Sequence, residues 1–308
     1  MLRKLTALVI LLLLLLSTAS LWAQEELSDE EAALLQRFVD GSDAVRSYDS
    51  FVAVQINSQS QIVQALSEGV VLQEQETSTV DEIITSVTRG DNPNGTREMT
   101  RISDDGVSII ESLVELRYVD GVIYGTGSYV EGLGPLTFPD GFVELDTADL
   151  GVFEDFEVED FERVMLGEID EDNPLGDIDT LAALVDSVSS GEGDFEGETV
   201  EVITVTIPGA RLFDLLIQID PEGFGDPQTA ALFGAATDES YAAVQIFLDA
   251  DGLPLAREVV MTVDIVDVLL SDIDPSQPEG ITVNLFLAMD QTSTLSQINE
   301  ELPAISAP

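Results

Sequence analysis

Hydrophobic and polar residues follow two different periods along this chain, and the period changes close to residue 50. Before that point, the pattern predicts an amphipathic helix whose apolar stripe comprises Leu34, Leu35, Phe38 and Val45. Ser28 and Glu31 have the spacing of a capping box, so we expect the helix to begin at Ser28. From Val52 onward apolar and polar residues alternate, which is the period of a half-buried β-strand.

Turn-forming residues divide most of the remaining chain into short apolar runs. Asn94-Gly95 and Asp120-Gly121 are typical hairpin turns, and the segment Asp249–Gly252 is another turn signal. The sequence predicts strands at Val107–Tyr118, Val122–Val130, Val200–Ile207, Tyr241–Leu248, Leu255–Val268 and Ile281–Met289. Strands joined by tight turns pair antiparallel, so we expect a mainly antiparallel sheet.

Two segments between the strands have helical spacing. The first has apolar residues at i, i+3, i+4 and i+7, and the second repeats that pattern. These residues are Leu181, Leu184, Val185 and Val188 in the first segment, and Leu212, Phe213, Leu215 and Leu216 in the second. Helices placed among hairpin-linked strands predict an α+β fold rather than a doubly wound parallel sheet.

The last two predicted strands carry apolar residues on both faces. One face of these strands has Val259, Met261, Val263, Leu285 and Leu287. A sheet that is apolar on both faces has to be covered on both. We expect the short helices to cover one face, and a ligand between helices and sheet is the alternative filling.

The first 23 residues have the pattern of a secretory signal peptide. Arg3 and Lys4 precede an apolar run, and Ala19 and Ala23 end small-residue cleavage motifs. An uncleaved anchor stays open, because no charge occurs between Leu5 and Ala23. Without a cysteine in the chain, lipid modification is not expected. We therefore predict a leader at residues 1–23 and a single β-rich domain at residues 24–308, soluble or signal-anchored outside the cytoplasm.

Composition argues against most catalytic chemistry. Histidine and cysteine are absent, and the single lysine, Lys4, lies in the leader. These absences remove the commonest general base, the thiol nucleophile, the His/Cys zinc site and the Schiff-base amine. We therefore predict no enzyme, no cofactor and no metal centre. An oxygen-rich segment, residues 170–179, leaves weak calcium binding open, although it lacks the glycine spacing of an EF-hand.

The charge of the chain excludes other partners. The formal net charge is −49, from 60 acidic and 11 basic residues. Nucleic acids and anionic membrane surfaces need concentrated Arg and Lys, so we expect neither as a partner. Four arginines fall in the early strands, where we expect ion pairs with nearby acids rather than a lipid headgroup. They are Arg89, Arg97, Arg101 and Arg117.

The order of elements resembles that of a known superfamily. An N-terminal helix leads into hairpins with a Tyr118–Tyr124 corner of sequence YVDGVIY, and a DADGLPL hairpin, Asp249–Leu255, precedes the closing strand. The chain ends in an N-x-x-x-P-x-I-x-x-P tail beginning at Asn299. This order resembles the bacterial lipoprotein-carrier superfamily, which includes the periplasmic lipoprotein chaperone and the LppX/LprG-type lipid carriers.

The resemblance implies a strongly curved antiparallel sheet, a half-open barrel, with helices over its concave face and an apolar cavity for acyl chains. It implies a monomeric, non-enzymatic carrier of a lipid or an acylated protein, docking with the envelope membrane or its lipoproteins. The predicted cavity lining is the set of apolar helix and late-strand residues given above. The alternative is an extracytoplasmic interaction module whose core is filled by its own helices.

Overall fold

The computed structural model describes residues 27–89, 93–131, 134–137, 141–145, 178–209, 211, 235–273 and 280–307. Helix α1, Asp29–Ala44, begins as predicted: Ser28 Oγ accepts from the Glu31 backbone N–H at 3.3 Å, and the Ser28 N–H donates to Glu31 Oε2 at 3.0 Å. This capping box satisfies two backbone donors at the helix start. A 3₁₀ turn, Val45–Ser47, then leads into the first strand.

Twelve strands of the described chain form one antiparallel sheet. They are β1 Ser50–Ser67, β2 Val70–Thr88, β3 Asn94–Asp104, β4 Ile109–Val119, β5 Val122–Glu131, β6 Gly134–Thr137, β7 Val143–Glu144, β8 Ser187–Phe195, β9 Glu198–Pro208, β10 Tyr241–Leu248, β11 Pro254–Leu269 and β12 Ile281–Ser296. Helix α2, Ile178–Leu184, precedes β8, and helix α3, Leu270–Ile273, follows β11. This confirms the predicted α+β class with a curved, open sheet.

The sheet runs in the order β6-β5-β4-β3-β2-β1-β12-β11-β10-β9-β8, with β7 paired to β5 at one edge. Most neighbours are hairpin partners, and Asp120-Gly121 makes the predicted turn, both residues having positive φ, 54° and 81°. The long contact between β1 and β12, from Val52↔Ser296 to Ser67↔Ile281, joins the first half of the chain to the last. This β1–β12 junction places the inner face of β1 directly beside that of β12.

One face of the sheet, called here the inner face, carries α1 and α2. Leu35, Phe38 and Val39 of α1 are buried in one cluster with β9–β12. The approach is closest at Gly41, where a Cβ would lie 2.9 Å from Leu248 Cδ2 and 3.1 Å from Ile246 Cδ1. A side chain at this position would therefore force the tips of Leu248 and Ile246 to shift. None of the helices in the described ranges has the length and apolarity needed to cross a membrane.

Two sequence expectations about local structure are wrong. Asn94-Gly95 is not a hairpin turn, because both residues lie in β3 and pair with Thr88 and Val87 of β2. Val188 is not on a helix with Leu181 and Leu184, because α2 ends at Leu184 and Val188 lies in β8. The Asp186 N–H donates to the Thr206 carbonyl at 2.8 Å, so β9 pairs with the backbone before another helical turn can form. The predicted strand at Val107–Tyr118 also begins later, at Ile109, and the strand predicted at Ile281–Met289 extends to Ser296.

Candidate ligand-binding site

The inner face of β9–β12 is a continuous apolar surface, called here the apolar floor. Its residues pair directly across the strands, as in Val244↔Val259, Met261↔Met289 and Val263↔Leu287. All of its main members are buried: Ile203, Val205, Ile207, Ala242, Val244, Ile246, Leu248, Val259, Met261, Val263, Ile265, Leu285, Leu287 and Met289. Alternation in four neighbouring strands places every second side chain on this face.

Nine of the thirteen predicted lining residues lie together at this floor. Val259, Met261, Val263, Leu285 and Leu287 belong to the strands, and they share a buried cluster with four residues of α2 and its C-terminal flank. These four are Leu181, Leu184, Val185 and Val188. The other four predicted residues, Leu212, Phe213, Leu215 and Leu216, lie outside the described residues.

The inner face changes character at β1. Gln55, Asn57, Gln59 and Gln61 occupy its inner positions, because they pair with inner residues of β12 such as Leu287 opposite Gln61. Asn57 is 9% exposed and Gln61 5% exposed, whereas Ile56 on the outer face is 44% exposed. The alternation predicted from the sequence is therefore present, but the polar side chains occupy the more buried face. We call these inner amides of β1, together with Asp81, Arg101 and Ser112 of β2–β4, the polar half; other inner positions of β2–β4 hold buried apolar residues such as Val114 and Leu116.

A buried ion pair lies in the polar half. Arg101 of β3 donates from Nε to Asp81 Oδ1 at 2.6 Å and from its guanidinium to Asp81 Oδ2 at 2.7 Å. The two residues are directly opposite each other on β2 and β3, and both are buried. Two parallel charge-assisted hydrogen bonds fix both side chains in one orientation. Ser112, opposite Arg101 on β4, is buried beside the pair.

Gln61 has an unsatisfied donor at the edge of the apolar floor. Its Nε2 is shielded from solvent and has no hydrogen-bond partner in the described chain. A buried donor without a partner costs about 1–3 kcal/mol, so native proteins rarely keep one without a use. Gln61 is opposite Leu287, and Leu287 is opposite Val263 on β11, so this donor lies at the border of the apolar floor.

Arg257 occupies the junction between the two halves. It lies on the inner face of β11, opposite Ile246 of the apolar floor on one side and Ser293 of β12 on the other. Its Nε is shielded from solvent and has no hydrogen-bond partner among the described residues. Burial lowers the pKa of Arg257 to about 10, which leaves the guanidinium charged at neutral pH.

Sequence reasoning overlooked Arg257, although a signal was present. Arg257 precedes Val259, Met261 and Val263 at the same alternating position, so the stripe itself continues into a cation. The polar half was overlooked for a different reason. When a strand has one polar and one apolar face, the apolar face is ordinarily expected to be the buried one.

Two of the four arginines in the early strands form the ion pairs expected of them. Arg117 pairs with Glu115 of the same strand at 3.0 Å, and Arg101 pairs with Asp81, an acid that the sequence analysis did not single out. Arg89 instead donates to the backbone carbonyls of Val45 and Tyr48, at 3.0 and 2.9 Å, and ties the 3₁₀ turn to β2.

Acidic residues form no metal site in the described part of the chain. No cluster there has three or more Asp or Glu side chains placed to hold an ion. Residues 170–177 of the candidate calcium segment lie outside the described residues, and its last two residues, Ile178 and Asp179, begin α2. The backbone N–H groups of Ser108 and Val107 donate to the Asp105 carboxylate and lower its pKa. This exposed acid therefore stabilises the turn in which it lies.

No family model matches this chain, and no curated protein matches it in sequence. Among solved structures, it is similar to lipovitellin, in a structure of lipid–protein interactions, with 11% identity and a TM-score of 0.30. That match covers 84% of this chain but 26% of the lipovitellin chain, so this chain spans about a quarter of it.

Two bacterial structures match over nearly their whole lengths. A LolA superfamily protein from Nitrosomonas europaea has 11% identity and a TM-score of 0.18, covering 87% of this chain and 94% of that one. A DUF1329 family protein from Desulfovibrio piger has 12% identity and a TM-score of 0.18, covering 90% and 96%. Values this low carry no conclusion about ligand or mechanism, and membership of the lipoprotein-carrier superfamily stays a prediction.

Proposed function

We propose that this protein is an exported, non-enzymatic carrier that holds an acyl chain between α1 and the apolar floor. One observation carries the proposal: on a single inner face, the apolar floor of β9–β12 borders a row of amide side chains on β1, from Gln55 to Gln61. An amphipathic ligand matches such a surface, since its chain contacts the floor and its polar end contacts the polar half.

The energetics of holding an acyl chain require area and no catalytic group. Burial stabilises a bound chain by roughly 0.8 kcal/mol per CH₂ group. The apolar floor supplies contiguous aliphatic surface on four strands, and α1 covers part of it with Leu35, Phe38 and Val39. We place the acyl chain along β11 and β12, beside Met261, Val263 and Leu287.

Release of the ligand would require α1 to move, and its attachment suits that role. Arg37 of α1 pairs with Glu201 of β9 through both carboxylate oxygens, and the hydrogen bond raises the pKa of Arg37. Both side chains are substantially exposed, so the pair contributes about 0–1 kcal/mol. Apolar packing therefore holds α1, and a partner that competes for Leu35 and Phe38 would displace it.

The sequence supports the cellular setting of the proposal. The leader at residues 1–23 is expected to direct export, and the high negative charge disfavours adsorption to anionic membrane surfaces by charge alone, so docking at the envelope would depend on specific contacts. We propose a lipid or an acylated protein as cargo, and the envelope membrane or its lipoproteins as the docking partner.

The test is native mass spectrometry of the chain purified without detergent from a membrane-containing host, followed by solvent extraction. We expect a discrete adduct that extracts as a lipid. Leu287→Trp fills the floor, and Phe286→Trp, one residue away on the outer face, is the matched control. We expect the first variant to lose the adduct and the second to retain it, with circular dichroism confirming that both are folded.

A different result would contradict the carrier proposal. A clean apo mass, together with no uptake of a fluorescent fatty acid at micromolar concentration, would overturn the carrier proposal. That outcome would favour the alternative of an interaction module whose space between helices and sheet is filled by its own side chains.

A further inference from the structure

Arg257 is a partly buried cation whose Nε is shielded from solvent, and it has no counter-charge in the described chain. Its Nε has no hydrogen-bond partner there, and no ion pair involves Arg257 among the described residues. Removing a guanidinium from water costs several kcal/mol when no anion compensates it. In a chain with 60 acidic residues, an unpaired, partly buried arginine needs an explanation.

The strands around Arg257 offer no carboxylate on its face. The inner positions of β10, β11, β12 and β1, as their pairing defines them, contain apolar side chains, amides, two serines and Arg257 itself. The acids stand at outer positions of the same strands, as with Glu258, Asp264 and Asp290. The exclusion of acids is therefore specific to the inner face of these four strands.

The nearest inner-face acids beyond these strands are engaged elsewhere. Asp81 lies three strands away from β11, about 14 Å at normal strand spacing, and it is paired with Arg101. Glu201 lies two strands away on β9 and is paired with Arg37. Neither carboxylate is available to Arg257 without breaking an existing ion pair.

We propose that Arg257 binds the oxyanion headgroup, carboxylate or phosphate, of the lipid that the apolar floor holds. This inference rests on the proposed carrier function and specifies its ligand class. A headgroup at Arg257 places the acyl chain along Val259, Met261 and Val263, the inner positions that follow on β11. Ser293 lies directly opposite Arg257, and the neighbouring Gln291 donates to it at 3.4 Å, so hydroxyl and amide groups border the headgroup on the polar side.

Guanidinium chemistry explains why arginine occupies this position. Its planar fork donates two parallel hydrogen bonds to a carboxylate or phosphate, which an ammonium group does not match. A neutral lipid would leave the cation uncompensated, so the site discriminates by charge as well as by chain. A negative ligand is compatible with the acidic protein because the acids are absent from this part of the inner face.

The experiment compares two ligands of equal chain length, dodecanoate and glycerol monolaurate, by titration calorimetry with the purified chain. For Arg257→Gln we expect dodecanoate affinity to fall about 10- to 100-fold, the loss of one charged hydrogen-bonding group, with monolaurate affinity unchanged. Arg257→Lys should recover part of the loss. Arg46→Gln, which removes an exposed cation beside Asp43, is the matched control and should change neither affinity.

The outcomes separate this inference from the carrier proposal. If both ligands bind and Arg257→Gln weakens neither or both equally, the headgroup assignment is wrong and the carrier stands. If neither ligand binds the unaltered protein, the carrier proposal itself fails. Dodecyl phosphate and inorganic phosphate complete the set: binding of the first identifies phosphate lipids as ligands, and binding of inorganic phosphate alone would contradict a lipid site.

Discussion

The two halves of the inner face share strand geometry and differ in chemistry. Over β9–β12 the inner positions are aliphatic and buried beneath α1, as at Met261 and Leu287. Beside the floor, β1 has inner amides, with Asn57 and Gln61 buried, and the Asp81–Arg101 pair lies next to buried apolar residues of β4 such as Val114. Burial in this protein therefore does not imply an apolar side chain. The comparison indicates that the apolar floor stabilises the fold by packing, whereas the polar half depends on hydrogen bonds such as those between Arg101 and Asp81.

The largest expected effect breaks the polar half. Asp81→Ala leaves the Arg101 guanidinium buried without its carboxylate, so we expect the free energy of unfolding to fall by about 3–5 kcal/mol. The double variant Asp81→Leu, Arg101→Met removes both charges and should recover most of that loss. Chemical denaturation measures both. A loss below about 1 kcal/mol in the single variant would show that the pair is not a structural part of this half.

A cavity in the apolar floor should cost slightly less. Leu287→Ala removes a buried side chain, and we expect the free energy of unfolding to fall by about 2–5 kcal/mol. Phe286→Ala, its neighbour on the outer face, loses a side chain that is 39% exposed. For this control we expect a loss of about 1 kcal/mol or less. Equal losses in denaturant titrations would mean that the two faces are equally packed.

The contact between α1 and the floor is tested at Gly41. In Gly41→Ala the new methyl group would approach Leu248 and Ile246, and overpacking outweighs the gain in helix propensity. We expect a net destabilisation of about 1 kcal/mol and faster hydrogen exchange in α1. Gly191→Ala is the control, because a Cβ there meets nothing within 4 Å. Unchanged exchange in α1 would show that the helix tolerates a wider separation from β10.

The start of α1 gives the smallest effect and a pH dependence. Ser28→Ala removes the N-cap and should destabilise the fold by about 1 kcal/mol. Hydrogen bonds from Ser28 lower the pKa of Glu31 below its ordinary 4.5. The stabilisation from Glu31 is therefore complete above pH 4.5 and is lost as pH falls through the lowered value. Thermal unfolding between pH 3 and 7 should show this loss in the unaltered protein and a weaker one in Glu31→Gln.

Local structure was largely predictable from local signals. The capping box at Ser28 fixed the start of α1, and turn residues bounded β10 at Tyr241–Leu248. Val188 was misassigned because a seven-residue spacing fits a helix and because the pairing that ends α2 comes from distant Thr206. The assignment of Val188 therefore depended on a long-range pairing that the local sequence does not show.

The chemistry of the inner face was less predictable. Periodicity in β1 shows that one of its faces is polar. Which of its two faces becomes buried depends on where α1 packs and how the sheet curves, and both are set by the whole fold. Arg257 is visible in the sequence as a cation in an apolar stripe. Its lack of a partner becomes evident only when β1, β10 and β12 are placed around it.

The most direct test of the central claim is methyl NMR of methionine-labelled protein with a fatty acid spin-labelled midway along its chain. Met261 and Met289 are paired on the apolar floor, and Met99 lies on the inner face of β3, two positions from Arg101 and away from the floor. The carrier account predicts that bound ligand broadens the Met261 and Met289 signals strongly and the Met99 signal much less. Saturating ligand that leaves Met261 and Met289 sharp, or that broadens Met99 alone, would contradict it.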